Sequence, residues 1–71
     1  MVFDYSRLRG RIYEKYSTQS EFVRALGCSN TTFSTKMNNK VKFTSADIIK
    51  MVELLDIRKE EIGEYFFTLK V

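Results

Sequence analysis

Side chains able to do covalent or metal chemistry are scarce in these 71 residues: there is no histidine and a single cysteine, Cys28. A lone thiol without imidazole partners does not make a convincing zinc or haem site, and it cannot form a disulfide within the chain. Neither a paired-carboxylate pocket nor a phosphate-cradling glycine loop can be read. No enzyme, cofactor, metal or small-molecule substrate is therefore expected. What the sequence does offer is a row of short hydrogen-bonding side chains, Asn30-Thr31-Thr32-Phe33-Ser34-Thr35-Lys36-Met37-Asn38, in which only Phe33 and Met37 are apolar. An ordinary surface helix carries long charged residues in i,i+4 pairs. A segment free of carboxylates suits a place between two rows of phosphates, where asparagine can pair bidentately with adenine and threonine methyls can meet thymine methyls.

Five short helices are predicted to position that row. The first spans residues 5–16, capped by Asp4, with Phe3 and Leu8 at staple spacing. Tyr5, Leu8, Ile12 and Tyr16 form its apolar stripe, leaving Arg7, Arg11 and Lys15 off it. Gly10 weakens it by up to about 1 kcal/mol relative to alanine. The second helix opens with Thr18-Gln19-Ser20-Glu21, a capping box, and closes at Gly27. Ser29 caps the third, residues 30–38, and Asn39 ends it because asparagine tolerates left-handed backbone angles. After a loop at 40–42, Thr44 caps the fourth, with Asp47 at its third position and a Phe43–Ile48 staple. Ile48, Ile49, Met51, Val52 and Leu55 share one arc of it. The fifth covers 59–66, stapled by Ile57 and Ile62, with Glu60 and Glu61 at its positive end. The tail 67–71 alternates apolar and polar residues, a strand pattern.

Charge is unevenly shared. Within residues 1–42, Arg7, Arg9, Arg11, Lys15, Arg24, Lys36, Lys40 and Lys42 face only Asp4, Glu14 and Glu21, whereas residues 43–71 are acidic on balance. A polyanion on one face and something else on another would fit this split. The N-terminal residues lack the long apolar run of a secretory signal, and no stretch approaches the roughly 20 apolar residues that cross a bilayer. A cytoplasmic protein of one domain, residues 1–71, with no membrane partner, is expected. Cys28 reads as a small buried hydrophobe.

A glycine-containing turn, Gly27-Cys28-Ser29, joins the second and third helices, which is the pattern of a helix-turn-helix over about 18–38. The stretch from Thr18 to Ser34 resembles that of the phage Cro and CI repressors. Gln19, Val23, Gly27, Ser29 and Phe33 occupy the pattern's places, and Asn38-Asn39-Lys40 resembles the usual Asn-Gly-Lys that follows. Residues 48–57 are similar to the next core helix of that family. Departures are Val23 for alanine, Lys36 for an apolar residue, with Met37 filling the gap, and Asn39 for glycine. The resemblance implies an all-α, compact five-helix, lambda-repressor-like domain from a phage or prophage, a transcriptional repressor that inserts residues 30–38 into the major groove of double-stranded DNA.

On that basis Asn30, Thr31, Ser34 and Thr35 are the candidates for base contacts. Gln19, Lys36, Asn38, Asn39, Lys40 and Lys42 are the candidates for phosphates, Gln19 because a helix N-terminus favours an anion. The family binds palindromic operators as two-fold dimers. The alternating tail supplies a candidate dimer element, Phe66, Phe67, Leu69 and Val71, since a lone edge strand leaves its backbone groups unpaired. Pairing of the tail with the chain's own N-terminus is the other way to satisfy them. A rival reading uses the same fold as a protein-binding module, an antitoxin or phage adaptor. The polar third helix argues against that, because a protein partner prefers aromatic or aliphatic anchors. Single-stranded nucleic acid is disfavoured, since no stacking platform is present.

Overall fold

The computed structural model describes residues 2–70. Among them are α1 (Ser6–Lys15), α2 (Gln19–Leu26), α3 (Asn30–Met37), α4 (Ser45–Leu55), a 3-10 turn (Lys59–Glu61) and α5 (Ile62–Phe66). The all-helical architecture expected from the periodicity is the one found. A lone bridge between Phe3 and Leu69 is the only β pairing among the described residues, in place of a terminal strand.

Local chemistry explains most helix ends. Thr18, Ser29 and Thr44 each accept a hydrogen bond from the N–H three residues on, satisfying a donor that the first turn cannot use. At Thr44 the capping box closes, with Asp47 accepting from the Thr44 N–H at 2.9 Å. At Thr18 it closes one residue early, because Glu21 accepts from the Ser17 N–H at 3.1 Å. Asp4 likewise acts from one position further out than expected. Tyr5 holds the cap position of α1 without a side-chain bond, and Asp4 accepts from the Ser6 N–H and hydroxyl at 2.9 and 2.6 Å. Gly27 ends α2 at φ +86°, a conformation that costs glycine little. The predicted fifth helix is split into a tight turn and α5, with Glu61 accepting from the Arg58 N–H and Nε.

α1 packs against α2, α4 and α5, and α2 against α3 and α4. Leu8, Ile12, Phe22, Val23, Phe33, Met51, Leu55 and Phe66 are fully buried or nearly so. Aromatic rings run through this core in a connected series of tilted and edge contacts: Tyr16, Phe22, Phe33, Phe43, then Tyr5 and Phe66, with Phe3 and Phe67 beyond. Each such pair adds roughly 0.5–1.5 kcal/mol beyond its buried area. Ile49 departs from the expected arc: it is 60% exposed, while Met51 and Leu55 are buried and Ile48 and Val52 half-buried.

One cation does structural work that its off-stripe position did not reveal. Arg11 reaches the C-terminus of α4, donating from Nε to the Leu55 carbonyl at 2.9 Å and from Nη2 to that of Asp56 at 3.1 Å. A guanidinium at a helix C-terminus satisfies carbonyls that have no intrahelical partner and meets the negative end of the dipole. Lys15 adds an ion pair with Asp56, which sits in a left-handed conformation at φ 51°.

Candidate interaction surfaces

The row of polar groups lies on α3, set by α2 and the three-residue turn. In that turn the Gly27 N–H donates to the carbonyls of Val23 and Arg24. Ser29 then starts α3, accepting from the Thr32 N–H at 3.1 Å and donating to the Thr32 hydroxyl at 2.8 Å. Phe33 and Met37 face inward, 1% and 6% exposed, and anchor the helix to the core. The opposite side is open. Asn30, Thr31, Ser34, Thr35, Asn38 and Lys40 line one shallow hollow of about 300 Å³. Four of these six are the candidates for base contacts. The Thr35 hydroxyl donates to the Thr31 carbonyl at 2.8 Å, and Asn30 lies 3.4 Å from the Ser20 hydroxyl of α2. Gln19 is half-buried at the first position of α2.

Three of the phosphate candidates are placed elsewhere. Lys36 is half-buried, and its ammonium donates to Asp47, the residue that also caps α4. Burial pushes the Asp47 carboxyl up. Hydrogen bonds from Lys36 and Thr44 and the Lys36 charge outweigh this and hold it below the usual carboxylate range. Lys36 thus ties α3 to α4 and has no free charge to offer a phosphate. Asn39 does take the left-handed conformation, at φ 65°. Its amide, however, is clamped to the backbone of Phe3, accepting from the N–H at 2.8 Å and donating to the carbonyl at 2.9 Å. Lys42 stands beside an apolar crease and not at the hollow of α3.

That crease belongs to a second surface, built from the chain's two ends. The Asp4 N–H donates to the Thr68 carbonyl at 2.7 Å and the Lys70 N–H to that of Val2 at 2.9 Å. Two of the tail's backbone groups are therefore paired within the chain, the alternative to pairing with a second subunit. Phe66 is in the core at 2% exposed, at the inner wall of that crease, while Val71 lies outside the described residues. Phe67 and Leu69 do face outward, and with Val2 each is about half exposed. Beside them the crease, about 60 Å³, is lined by Phe3, Tyr5, Lys42, Phe43, Ile48, Phe66 and Phe67. The sequence offered Phe67 and Leu69 as an interface and Phe43 and Ile48 as a staple, with Ile48 also on the apolar arc of α4, but not their union in one face, because its residues come from both termini, the α3–α4 junction and α4.

Among the described residues no group of histidine, cysteine and carboxylate side chains could hold a metal ion, and no helix is long and apolar enough to cross a membrane. A small helical domain with one polar and one apolar exposed face has the form of a binding protein. The chain belongs to the family described as protein of unknown function (DUF739), which matches residues 1–69. It is also similar to a protein of known structure, the modulator of repression (MOR) of the temperate bacteriophage TP901-1 from Lactococcus lactis, determined in solution. The two are 44% identical, with a TM-score of 0.83, over 100% of this chain and 96% of that one. No curated protein matches the chain.

Proposed function

We propose that this protein is a phage regulator that modulates transcriptional repression by binding a protein partner through the apolar face at its termini. The observation that carries the reading is the 44% identity, across the whole chain, to a phage protein named as a modulator of repression. The geometry is consistent with it. Phe67 and Leu69 are exposed apolar side chains two residues apart on the tail, Phe67 lining a crease walled by aromatic rings and Leu69 bridged to Phe3, another of its walls. Grouped apolar exposure of this kind marks interaction sites on small soluble domains, and aromatic anchors supply much of the energy of protein interfaces. The polar third helix had spoken against a protein partner, but the anchors such a partner needs lie on another surface.

The test is a repressor-controlled reporter together with direct binding of the purified chain to that repressor. Wild type should change reporter output and bind, while Leu69→Ser and Phe67→Ser should do neither and still fold. A wild-type chain that binds no repressor and leaves the reporter unchanged refutes the proposal.

The hollow on α3 favours a second reading, direct contact with double-stranded DNA by Asn30, Thr31, Ser34 and Thr35, with Asn38 and Lys40 at phosphates. Thr31→Ala should then shift preference at one base position by roughly 1–3 kcal/mol. Lys40→Ala should weaken all sequences alike and reduce the salt slope by about 1. Absence of any duplex binding in dilute salt dismisses this reading and leaves the first intact.

A further inference from the structure

We propose that the partner segment received by the terminal face is acidic: an apolar side chain seated in the crease between Phe43, Ile48 and Phe67, flanked by carboxylates that meet Lys42 on one side and Arg9 and Lys70 on the other. This rests on the protein-partner reading and gives that partner its chemistry.

The shape of the crease selects the anchor. Its walls are Phe3, Tyr5, Phe43, Ile48, Phe66 and Phe67, with Phe3 and Phe67 edge to face at 5.8 Å and Phe43 and Phe66 at 6.2 Å. The space of about 60 Å³ is several times what one water needs, yet its apolar walls give a water few hydrogen-bond partners. An aliphatic or aromatic tip would fill it and bury the neighbouring faces of Phe67 and Leu69.

Charge selects the flanks. Arg7, Arg11, Lys15, Lys36 and Arg58 are each in an ion pair within the chain. Seven other cations are in none among the described residues, and three of them, Arg9, Lys42 and Lys70, border the terminal face. Lys42 lines the crease, and Arg9 and Lys70 line the polar cleft on the other side of Phe3. The one carboxylate there, Asp4, accepts from the hydroxyl and N–H of Ser6 and feels the charges of Arg9 and Lys70, so it offsets part of the positive rim. Three cations against one carboxylate leave the rim positive, which disfavours a second copy of this chain, since that would bring the same cations face to face, and favours a segment of opposite sign.

Selection of a random displayed peptide library on the full chain tests this. Enriched peptides should combine Leu, Ile, Phe or Trp with Asp and Glu, and Phe67→Ala should lose them. Rim charges act mainly on encounter, so Lys42→Glu and the double variant Arg9→Glu with Lys70→Glu should slow association of a selected, fluorescein-labelled peptide about tenfold. Both should weaken its dependence on salt. Circular dichroism and urea midpoints near wild type would verify that these surface variants fold. Enriched peptides without acidic residues, equal association with the charge-reversed variants, or a self-associated dimer that blocks the crease each overturn the proposal. The failures are separable. If the chain binds its repressor but charge reversal at Arg9, Lys42 and Lys70 leaves that binding unaltered, only the acidic partner is lost. If it binds no repressor, the reading beneath it goes as well.

Discussion

Asn39 joins two surfaces, and its substitution separates two kinds of stabilisation. Its backbone holds φ 65° at the end of α3, and its amide makes two half-buried hydrogen bonds to Phe3, 36 residues away. Asn39→Ala deletes both bonds, at about 1 kcal/mol each, and replaces a residue that tolerates the left-handed conformation with one that does not, for about 1 kcal/mol more. The expected loss is therefore about 3 kcal/mol. Asn39→Gly deletes the same bonds without the conformational penalty, so it should cost about 2 kcal/mol. Against a total stability of roughly 0.05–0.15 kcal/mol per residue, both are large and easily measured. Urea denaturation followed by far-UV circular dichroism gives the two differences. Amide hydrogen exchange locates the effect: protection should fall at Phe3, Asp4 and Lys70, whose N–H groups depend on the clamp and on the terminal pairing it secures. If Asn39→Gly matches wild type in midpoint and in exchange at those amides, the clamp is not holding the termini and the reasoning is wrong.

Gly10→Ala should stabilise the protein by up to about 1 kcal/mol, because nothing lies within 4 Å of an added Cβ and α1 gains a better helix former; a thermal melt should rise by several degrees, and an unchanged or lower midpoint would contradict the open site. Asp47→Asn should destabilise at neutral pH by stranding the half-buried Lys36 ammonium. Since the folded Asp47 pKa lies below 3.8, the stability it contributes is present above that value and lost as pH falls through the folded pKa. The difference in urea midpoint between wild type and Asp47→Asn should therefore begin to shrink below about pH 4 and close once the folded Asp47 is protonated, and parallel curves down to acid pH would dismiss the pair. Leu69→Ser, at a half-exposed position, should leave the melting temperature within a few degrees of wild type while abolishing partner binding; unchanged binding would remove the terminal face from the account.

What could be read from the sequence is what depends on near neighbours. Thr18, Ser29 and Thr44 cap because each hydroxyl serves an N–H three residues on, and Gly27 ends α2 because of its own backbone freedom. Helical spacing likewise placed Leu8, Ile12, Phe22, Leu26, Phe33, Met51 and Leu55 in the core. Periodicity blurs at the edge of an arc, which is why Ile49 read as inward and is exposed. Contacts between distant residues leave no local mark. Arg11 finds Leu55 at a separation of 44, Asn39 finds Phe3 at 36, and Lys36 finds Asp47 across a loop. The alternation in residues 67–71 predicted a strand, of which a single bridge from Leu69 to Phe3 forms among the described residues. The row on α3 was readable as a polar surface because it is contiguous. The terminal face was not, because Val2, Phe43, Ile48, Phe67 and Leu69 meet only in the fold.

The most direct test maps backbone amide shifts of the isotopically labelled chain while the repressor used in the reporter assay is titrated in. The account predicts perturbation at Phe3, Lys42, Phe43, Ile48, Phe67 and Leu69. Shifts confined to Asn30, Thr31, Ser34 and Thr35, or appearing only when duplex DNA is added, would contradict it.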